Sequence, residues 1–281
     1  MKQGINVLSL FDGMSCGQIA LERAGIKVEN YFASEIDKYA IKVTQHNYPN
    51  TTQLGDVTEV KAENLPRIDL LIGGSPCQSL STSGNGSGFE GKSGLFFEFV
   101  RIFKQVIKIN PDLKFLFENV KMKKSNQDII SDCLGVKPIE INSNLVSGQN
   151  RKRLYWTNIE FEPMQKKEVQ MFKDIIDPKK WREIPPCFYQ KYGKKNRIDN
   201  GLNWILNEKS NTLTTKNIHP NQYILNENKT LCSNLSVIDY ERLQTIPEGY
   251  TLCVSNTHAF EMLGNGWTVD VIAHIFKNIS L

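Results

Sequence analysis

The sequence has few of the features that mark membrane, secreted or metal-binding proteins. No apolar stretch reaches membrane-spanning length, and the N-terminal residues run straight into a short apolar segment, so we expect neither a membrane anchor nor a signal peptide. The six cysteines are scattered and form no C-x-x-C pair, so neither a disulfide framework nor a zinc site is predicted. These absences favour a cytoplasmic protein that needs no metal.

The net charge is small, and its distribution is more informative than its sum. The formal net charge is +4, whereas residues 158–216 alone hold twelve Lys and Arg against eight Asp and Glu. Basic and aromatic residues are mixed there, as in KKWR at 179–182, which suits the phosphate backbone of a nucleic acid. A solvated, loop-rich surface would explain the composition equally well, so both interpretations stay open.

A complete nucleotide-binding motif is missing after the first predicted strand. Gly13-x-x-x-Gly17 follows that strand, but this turn lacks the Gly-Lys-Ser/Thr of a P-loop and the full G-x-G-x-x-G of a dinucleotide site. Acidic residues do follow the next two strands. Glu35 is placed to bind ribose hydroxyls, and Asp56 is placed to accept from an adenine amine. The pattern predicts a cofactor that contains a nucleoside and needs no phosphate contact, which S-adenosylmethionine satisfies.

Short apolar runs alternate with helical patterns in the first half of the chain. This order predicts an α/β fold with a mostly parallel sheet. We assign residues 1–157 and 239–281 to one domain, and residues 158–238, where the periodicity weakens, to a smaller irregular domain. A polar loop over 79–93 is long enough to act as a lid. Strands are predicted at 5–10, 31–34, just before Gly55, and at 68–72, 115–117, 139–141 and 154–156. Helices are predicted at 16–24, from Lys38, over 96–107 and within 259–281. The first helix would be capped by Asp12 or Ser15 and closed by Gly25.

Three short motifs carry side chains suited to chemistry on a pyrimidine ring. GGSPCQ at 73–78 puts the Cys77 thiol directly after a buried strand, FENV at 117–120 puts the Glu118 carboxyl at the end of another, and QNRKR at 149–153 supplies two arginines. Taken singly, each motif has an ordinary explanation. Cys77 would be a small buried apolar residue, Glu118 a solvated strand end, and the arginines a basic pair on the surface.

In this order the motifs resemble those of the cytosine-C5 DNA methyltransferase family, most closely its animal de novo branch and small phage and bacterial relatives. Together with SLFDG at 9–13, EI at 35–36, DV at 56–57 and LGNGWTV at 263–269, they extend over nearly the whole chain outside 158–238. The resemblance implies the fold of S-adenosylmethionine-dependent methyltransferases, a Rossmann-like α/β sheet with a small target-recognition domain. It also implies the following cofactor-binding residues: Phe11, Gly13, Glu35, Ile36, Asp56, Val57, Gly74, Pro76, Leu95, Asn265, Gly266 and Trp267.

The resemblance also implies catalytic roles, and each suits the chemistry of cytosine. Carbon 5 is a poor nucleophile until a thiolate adds to carbon 6, and Cys77 is expected to supply that thiolate. Glu118 is expected to bind ring nitrogen 3 and the exocyclic amine, and Arg153 the exocyclic oxygen. Arg151 is expected to support the loop and a DNA phosphate, from the same face of an extended segment as Arg153.

Double-stranded DNA is the partner that the resemblance implies. The target cytosine would be flipped out of the duplex with the loop over 79–93 closing on it, and RLQTIPEGY at 242–250 would organise the target-recognition domain. Two alternatives remain, a tRNA cytosine-C5 methyltransferase and an inactive DNA-binding regulator. The oligomeric state is left open, a monomer included. The expected DNA-binding residues are Gln78, Ser79, Ser81, Arg197, Thr214, Thr215 and Lys216.

Overall fold

The chain divides into two compact units. The first, here called the sheet unit, comprises Met1–Asn142, Lys152–Met164 and Val269–Leu281, and the second unit comprises Ser143–Arg151 and Gln165–Thr268. The computed structural model describes residues 4–76, 94–165, 182–183, 203–205, 223–225 and 231–279.

A seven-stranded sheet forms the centre of the sheet unit. Its strands are β1 (Ile5–Leu10), β2 (Val28–Ser34), β3 (Thr52–Gln53), β4 (Leu70–Gly73), β5 (Lys114–Val120), β6 (Ile139–Asn142) and β7 (Lys152–Thr157). They lie in the order β3-β2-β1-β4-β5-β7-β6, and only β7 runs antiparallel to its neighbours. The predicted α/β fold with a mostly parallel sheet is confirmed, and this order brings the loops after β1, β2, β3 and β4 to one edge of the sheet.

Helices connect the strands of the sheet unit and continue in the second unit. In the described ranges they are α1 (Cys16–Arg23), α2 (Lys38–Asn47), α3 (Phe96–Ile109), α4 (Lys124–Leu134), α5 (Val237–Leu243), α6 (Asn256–Asn265) and α7 (Val269–Phe276). No helix in these parts of the chain is long and apolar enough to cross a membrane. The sequence pattern did not predict α4, because its sequence is mostly polar and only Ile130 and Leu134 are buried.

The aromatic stripe of α3 supplies the core on one face of the sheet. Phe96 and Phe99 are fully buried, and their ring centroids lie 5.2 and 4.8 Å from that of Phe117 on β5. The Phe117 ring in turn lies 5.9 Å from that of Trp156 on β7. Burying one such side chain stabilises the fold by about 1.5–3 kcal/mol, so this cluster holds β5 and β7 firmly side by side.

The C-terminal segment contains two helices, and only the last of them, α7, returns to the sheet unit, whereas α6 belongs to the second unit. Gly266, Trp267 and Thr268 separate α6 from α7, so the segment is not one continuous helix. The final helix packs on α1, and Arg23 Nη1 lies 2.7 Å from Asp270 Oδ1 across that contact. A buried apolar face from Val269 to Phe276 explains why α7 packs there.

The bounds of the second unit differ from those of the predicted domain of 158–238, since residues 158–164 belong to the sheet unit. The second unit also includes 143–151 and 239–268, because buried polar side chains join these segments. Ser147 Oγ donates to the Leu243 carbonyl at 2.5 Å, and Gln149 Nε2 donates to the same oxygen at 3.4 Å. A small four-stranded sheet also belongs to this unit, with strands β8 (Arg182–Glu183), β9 (Asn203–Ile205), β10 (Tyr223–Leu225) and β11 (Leu231–Asn234) in the order β8-β11-β10-β9.

Candidate active site

The carboxylate of Glu35 organises the loops that follow β1 and β2. The Gly13 amide donates to Glu35 Oε2 at 2.8 Å, and the amides of Ile36 and Asp37 donate to Oε1 at 2.8 and 2.9 Å. A carboxylate has about four lone-pair positions, and three donors occupy three of them. One position on Oε2 is left for an additional donor.

Two side chains beside Glu35 suit an adenosine group. Ile36 is 72% exposed, although large apolar residues are usually covered. Asp56 is exposed, and the amide and hydroxyl of Thr58 both donate to its Oδ1 at 2.9 Å, which directs Oδ2 away from these bonds. The backbone hydrogen bond from Thr58 lowers the pKa of Asp56, so this carboxyl is an anionic acceptor near neutral pH. Val57 is buried, which leaves its backbone for any ligand contact.

The turn after β1 adopts an unusual backbone conformation. Phe11, Gly13 and Ser15 have φ angles of 58°, 60° and 61°, in the left-handed region. This conformation costs a non-glycine residue roughly 1–3 kcal/mol and typically persists at functional sites. Ser15 is the N-cap residue of α1, one of the two predicted caps, but its side chain makes no capping hydrogen bond. Its hydroxyl donates to Asp12 Oδ2 instead.

Asp12 is a partly buried acid within this turn. Tyr31 donates its hydroxyl to Asp12 Oδ1 at 2.8 Å. Burial raises the pKa of the Asp12 carboxyl to about 6, although hydrogen bonds from Ser15, Ser9 and Tyr31 act in the opposite direction. The negative charge of Glu35 adds a smaller upward contribution. The sequence motif drew attention to the flanking Phe11 and Gly13, and the role of Asp12 follows only from the structure.

Arg101 on α3 fixes the segment that carries Asp56 and Val57. Its Nη1 donates to the Val60 carbonyl at 2.9 Å, and its Nη2 donates to the Val57 carbonyl at 3.1 Å. Glu98 lies one turn earlier on the same helix and holds the guanidinium, with Nε to Oε2 at 2.7 Å. Sequence reasoning missed this arginine, since its partners lie 41 and 44 residues away.

The loop after β4 leads towards Cys77 and is tied to β5. Asn119 Nδ2 donates to the Ser75 carbonyl at 3.2 Å and to its hydroxyl at 3.4 Å, with both residues buried. A Cβ atom on Gly73 would lie 2.6 Å from the Leu10 carbonyl oxygen, so only glycine fits between β4 and β1. Gly74 and Pro76 follow it in partly buried positions. Leu95 precedes α3 and packs against the core, as Phe11 does.

Glu118 and Arg153 form a buried ion pair. Arg153 Nε lies 3.0 Å from Glu118 Oε1, and the two side chains are 13% and 11% exposed. Their strands are antiparallel neighbours in which Val120 lies opposite Arg153 and Glu118 lies opposite Tyr155, so the two side chains meet diagonally. The structure thus brings together two residues that the sequence motifs placed 35 positions apart.

Arg151 behaves differently from Arg153. It is buried in the second unit, where its Nη2 donates to the carbonyls of Gly264 and Gly266 at 3.0 and 2.9 Å. It also precedes β7, which begins at Lys152, so the expected pairing of both arginines on one face of a strand is not found. With its guanidinium buried on carbonyl groups, Arg151 supports the end of α6 and is not presented to a phosphate.

Gln244 completes the hydrogen bonds at the end of α6. Its Nε2 donates to the Leu263 carbonyl at 2.6 Å, and its Oε1 accepts from the Thr268 hydroxyl at 2.8 Å. The buried Glu241 likewise accepts from the amides of Gly249 and Thr251 at 2.6 and 2.8 Å. The RLQTIPEGY motif therefore holds its own unit together. The predicted cofactor residues Asn265, Gly266 and Trp267 belong to this unit, where Asn265 is exposed and the other two are partly buried.

Several predicted site residues lie outside the part of the chain that the structure describes, and so does the loop over 79–93. Their roles stay predictions. Within the described ranges, no group of three or more His, Cys, Asp and Glu side chains is arranged to hold a metal ion. The residues outside the described ranges are Cys77, Gln78, Ser79, Ser81, Arg197, Thr214, Thr215 and Lys216.

Comparison with known families identifies the class of protein. A family model described as C-5 cytosine-specific DNA methylase matches residues 5–155 and 123–281. The chain belongs to this family. The resemblance drawn from the motifs is therefore confirmed, and the paired Glu118 and Arg153 lie within the matched region.

Relatives similar to this chain in sequence come from phages and bacteria. Orphan methyltransferase M.SPRI of Bacillus phage SPR is 34% identical over 64% of this chain, and the match spans 44% of the phage protein. Type II methyltransferase M.NlaX of Neisseria lactamica is 28% identical, covering 97% of this chain and 95% of the relative. In fold, the chain is similar to the S. pombe Dnmt2 methyltransferase, with a TM-score of 0.73 at 18% identity over 97% of each chain.

Proposed function

We propose that the chain transfers a methyl group from S-adenosylmethionine to carbon 5 of cytosine in duplex DNA. The observation that carries this proposal is the buried Glu118–Arg153 pair, 3.0 Å apart, in a chain whose family is defined by that reaction. A carboxyl and a guanidinium held side by side can bind two edges of one pyrimidine. The family description supports DNA rather than tRNA as the substrate, and the presence of Cys77 and Glu118 supports an enzyme rather than an inactive regulator.

The sheet unit contains groups that fit the adenosine part of S-adenosylmethionine. Glu35 has one acceptor position left for a ribose hydroxyl, Asp56 offers Oδ2 to the adenine amine, and Ile36 offers an exposed apolar surface to the purine face. When bound, the cofactor supplies an electrophilic methyl group. We assign Phe11, Gly13, Val57, Gly74, Pro76 and Leu95 to the same site. The family motifs also imply cofactor contacts by Asn265, Gly266 and Trp267, and these roles stay predictions.

The catalytic residues act on the cytosine ring. In this proposal the Cys77 thiolate adds to carbon 6, and carbon 5 becomes nucleophilic enough to take the methyl group that the cofactor would supply. A base then removes the carbon 5 proton, so the ring double bond re-forms and the thiolate leaves. Arg153 donates to the exocyclic oxygen and stabilises the negative charge that the ring gains on attack. Glu118 is protonated or shares a proton with nitrogen 3, and it accepts from the exocyclic amine. Because the ion pair already fixes both side chains, little reorganisation is needed when a base enters.

DNA recognition is assigned to the remaining predicted residues. A cytosine inside a duplex cannot be reached from both ring faces, so we propose that it is flipped out. Residues 158–238 are proposed to read the neighbouring bases and 79–93 to close over the flipped base. The contacting side chains proposed in these segments are Gln78, Ser79, Ser81, Arg197, Thr214, Thr215 and Lys216.

Methyl transfer to defined substrates tests this proposal. Purified protein is incubated with S-adenosylmethionine labelled in the methyl group and with either duplex DNA or total tRNA, and the labelled base is identified after digestion. The proposal predicts 5-methylcytosine in DNA and no label in tRNA. Label in tRNA alone, or on the exocyclic amine of cytosine, would show a different reaction.

A further inference from the structure

The strained turn after β1 is held from two sides by one strand. Glu35, at the end of β2, accepts from the Gly13 amide at 2.8 Å. Tyr31, within β2, donates its hydroxyl to Asp12 Oδ1 at 2.8 Å. Both contacts come from residues 31–35, which comprise the end of β2 and the residue after it. This segment therefore fixes the turn at its exposed side and at its buried side.

Further hydrogen bonds connect the buried side of the turn to α1 and α2. The Ser15 hydroxyl donates to Asp12 Oδ2 and accepts from Gln18 Nε2 and from Thr44 Oγ1, each at 3.2 Å. Thr44 and Ser15 are fully buried. Asp12 connects this network to the sheet, where Tyr31 on β2 and Ser9 on β1 both hydrogen-bond its carboxyl.

A glycine in α1 makes room for the tyrosine hydroxyl. A Cβ atom on Gly17 would lie 2.7 Å from the Tyr31 hydroxyl oxygen and 2.5 Å from Ile72 Cδ1. Atoms at these distances overlap, so a side chain at position 17 would displace the hydroxyl from Asp12. The absence of a side chain at Gly17 and the hydrogen bond to Asp12 are therefore two separate observations that fix the position of the Tyr31 hydroxyl.

We propose that Tyr31 is a positioning residue for the cofactor site. Its hydroxyl, admitted by Gly17, holds Asp12 and through it the turn from Phe11 to Ser15 in the conformation that brings the Gly13 amide to Glu35. Tyr31 is 4% exposed and acts through the turn, without contact to the cofactor. This inference rests on the proposed use of Glu35 to bind S-adenosylmethionine.

Removal of the hydroxyl alone tests the proposal. Tyr31→Phe should raise the dissociation constant and the KM for S-adenosylmethionine about three- to tenfold, the effect of losing one hydrogen bond. Because the residue does not touch DNA or the reacting atoms, kcat at saturating cofactor and the KM for DNA should stay within about twofold of wild type. Gly17→Ala should raise the same dissociation constant by displacing the hydroxyl.

Tyr48→Phe is the matched control. Tyr48 donates its hydroxyl to a carboxylate in the same unit, Glu22 Oε2, at 2.9 Å, and Glu22 is not a residue of the turn. Calorimetry should give the Tyr48→Phe protein the wild-type affinity for S-adenosylmethionine. Urea unfolding of each variant separates lost stability from lost affinity, since affinity is measured where every variant is folded.

The outcomes separate the inference from the function on which it rests. A wild-type affinity for S-adenosylmethionine in Tyr31→Phe would overturn the positioning role, as would a fall in kcat with unchanged KM. Wild-type protein that binds no S-adenosylmethionine would instead refute the proposed function. An equal loss of affinity in Tyr31→Phe and Tyr48→Phe would contradict the inference, because the effect would not depend on the turn.

Discussion

Asp12 should make the protein less stable as the pH rises, which is the reverse of the usual behaviour of an acidic residue. Burial raises its pKa in the folded protein to about 6, from an ordinary value of 3.8 that we take for the unfolded chain. The folded state therefore holds the proton more tightly. Its contribution to stability is fully present below pH 3.8 and is lost as the pH rises through 6.

The size of this effect follows from the two pKa values. A rise from 3.8 to about 6 corresponds to about 3 kcal/mol, because one pKa unit is worth about 1.4 kcal/mol. Asp12→Asn removes the titration while Asn Oδ1 can still accept from Tyr31. The variant should therefore gain about 1.4 kcal/mol of unfolding free energy relative to wild type for each pH unit between about pH 4 and 6.

Urea unfolding followed by circular dichroism at steps between pH 4 and 7.5 measures this difference. Asp56→Asn is the control of opposite sign, because a hydrogen bond from Thr58 lowers the pKa of the exposed Asp56 carboxyl. The Asp56 carboxylate stabilises the fold above its unfolded pKa, and this effect is lost as the pH falls. The unfolding free energy of Asp56→Asn should therefore be lower than that of wild type at neutral pH. A difference between Asp12→Asn and wild type that is flat or decreasing from pH 4 to 6 would refute the reasoning.

The remaining predictions concern the site and the recognition segment. Glu35→Ala should weaken S-adenosylmethionine binding by about 1–3 kcal/mol in calorimetry without changing DNA affinity; unchanged cofactor affinity would remove Glu35 from the site. Arg153→Met should lower the unfolding free energy in urea by about 3–5 kcal/mol by removing the ion-pair partner of the buried Glu118, and adding Glu118→Gln should restore part of the loss; a loss below about 1 kcal/mol would contradict a buried pair. A chimera carrying the 158–238 segment of a relative should methylate the relative's DNA motif in sequencing of modified sites, and an active chimera that keeps the original motif would place recognition elsewhere.

Local pattern predicts much of the sheet unit, because its strands and helices are short, regular and strongly apolar. The stripe of α3 and the acidic residues after β2 and β3 follow from periodicity and from the rule that ligands bind at the carboxyl ends of parallel strands. The family motifs add Glu118 and Arg153, although sequence alone gives no reason for these two to be in contact. Their contact depends on the antiparallel β7 lying beside β5.

The supporting residues could not be predicted in the same way. Arg101 and Arg151 look like surface charges in sequence, yet both bind backbone carbonyls far away in the chain. The partner carbonyls of Arg151 lie 113 and 115 residues away, so no local pattern contains them. Tyr31 looks like an ordinary strand residue, and its role depends on the space left by Gly17.

A covalent complex with modified DNA tests the central claim most directly. Duplex DNA carrying 5-fluorocytosine at the target position has no proton to lose from carbon 5, so the enzyme cannot release a base that has accepted both thiolate and methyl group. Wild-type protein with S-adenosylmethionine should form a complex that survives denaturing electrophoresis, and Cys77→Ser should form none, because a serine oxygen is a far weaker nucleophile at neutral pH. An equal complex with Cys77→Ser, or methylation by that variant at a comparable rate, would contradict the account.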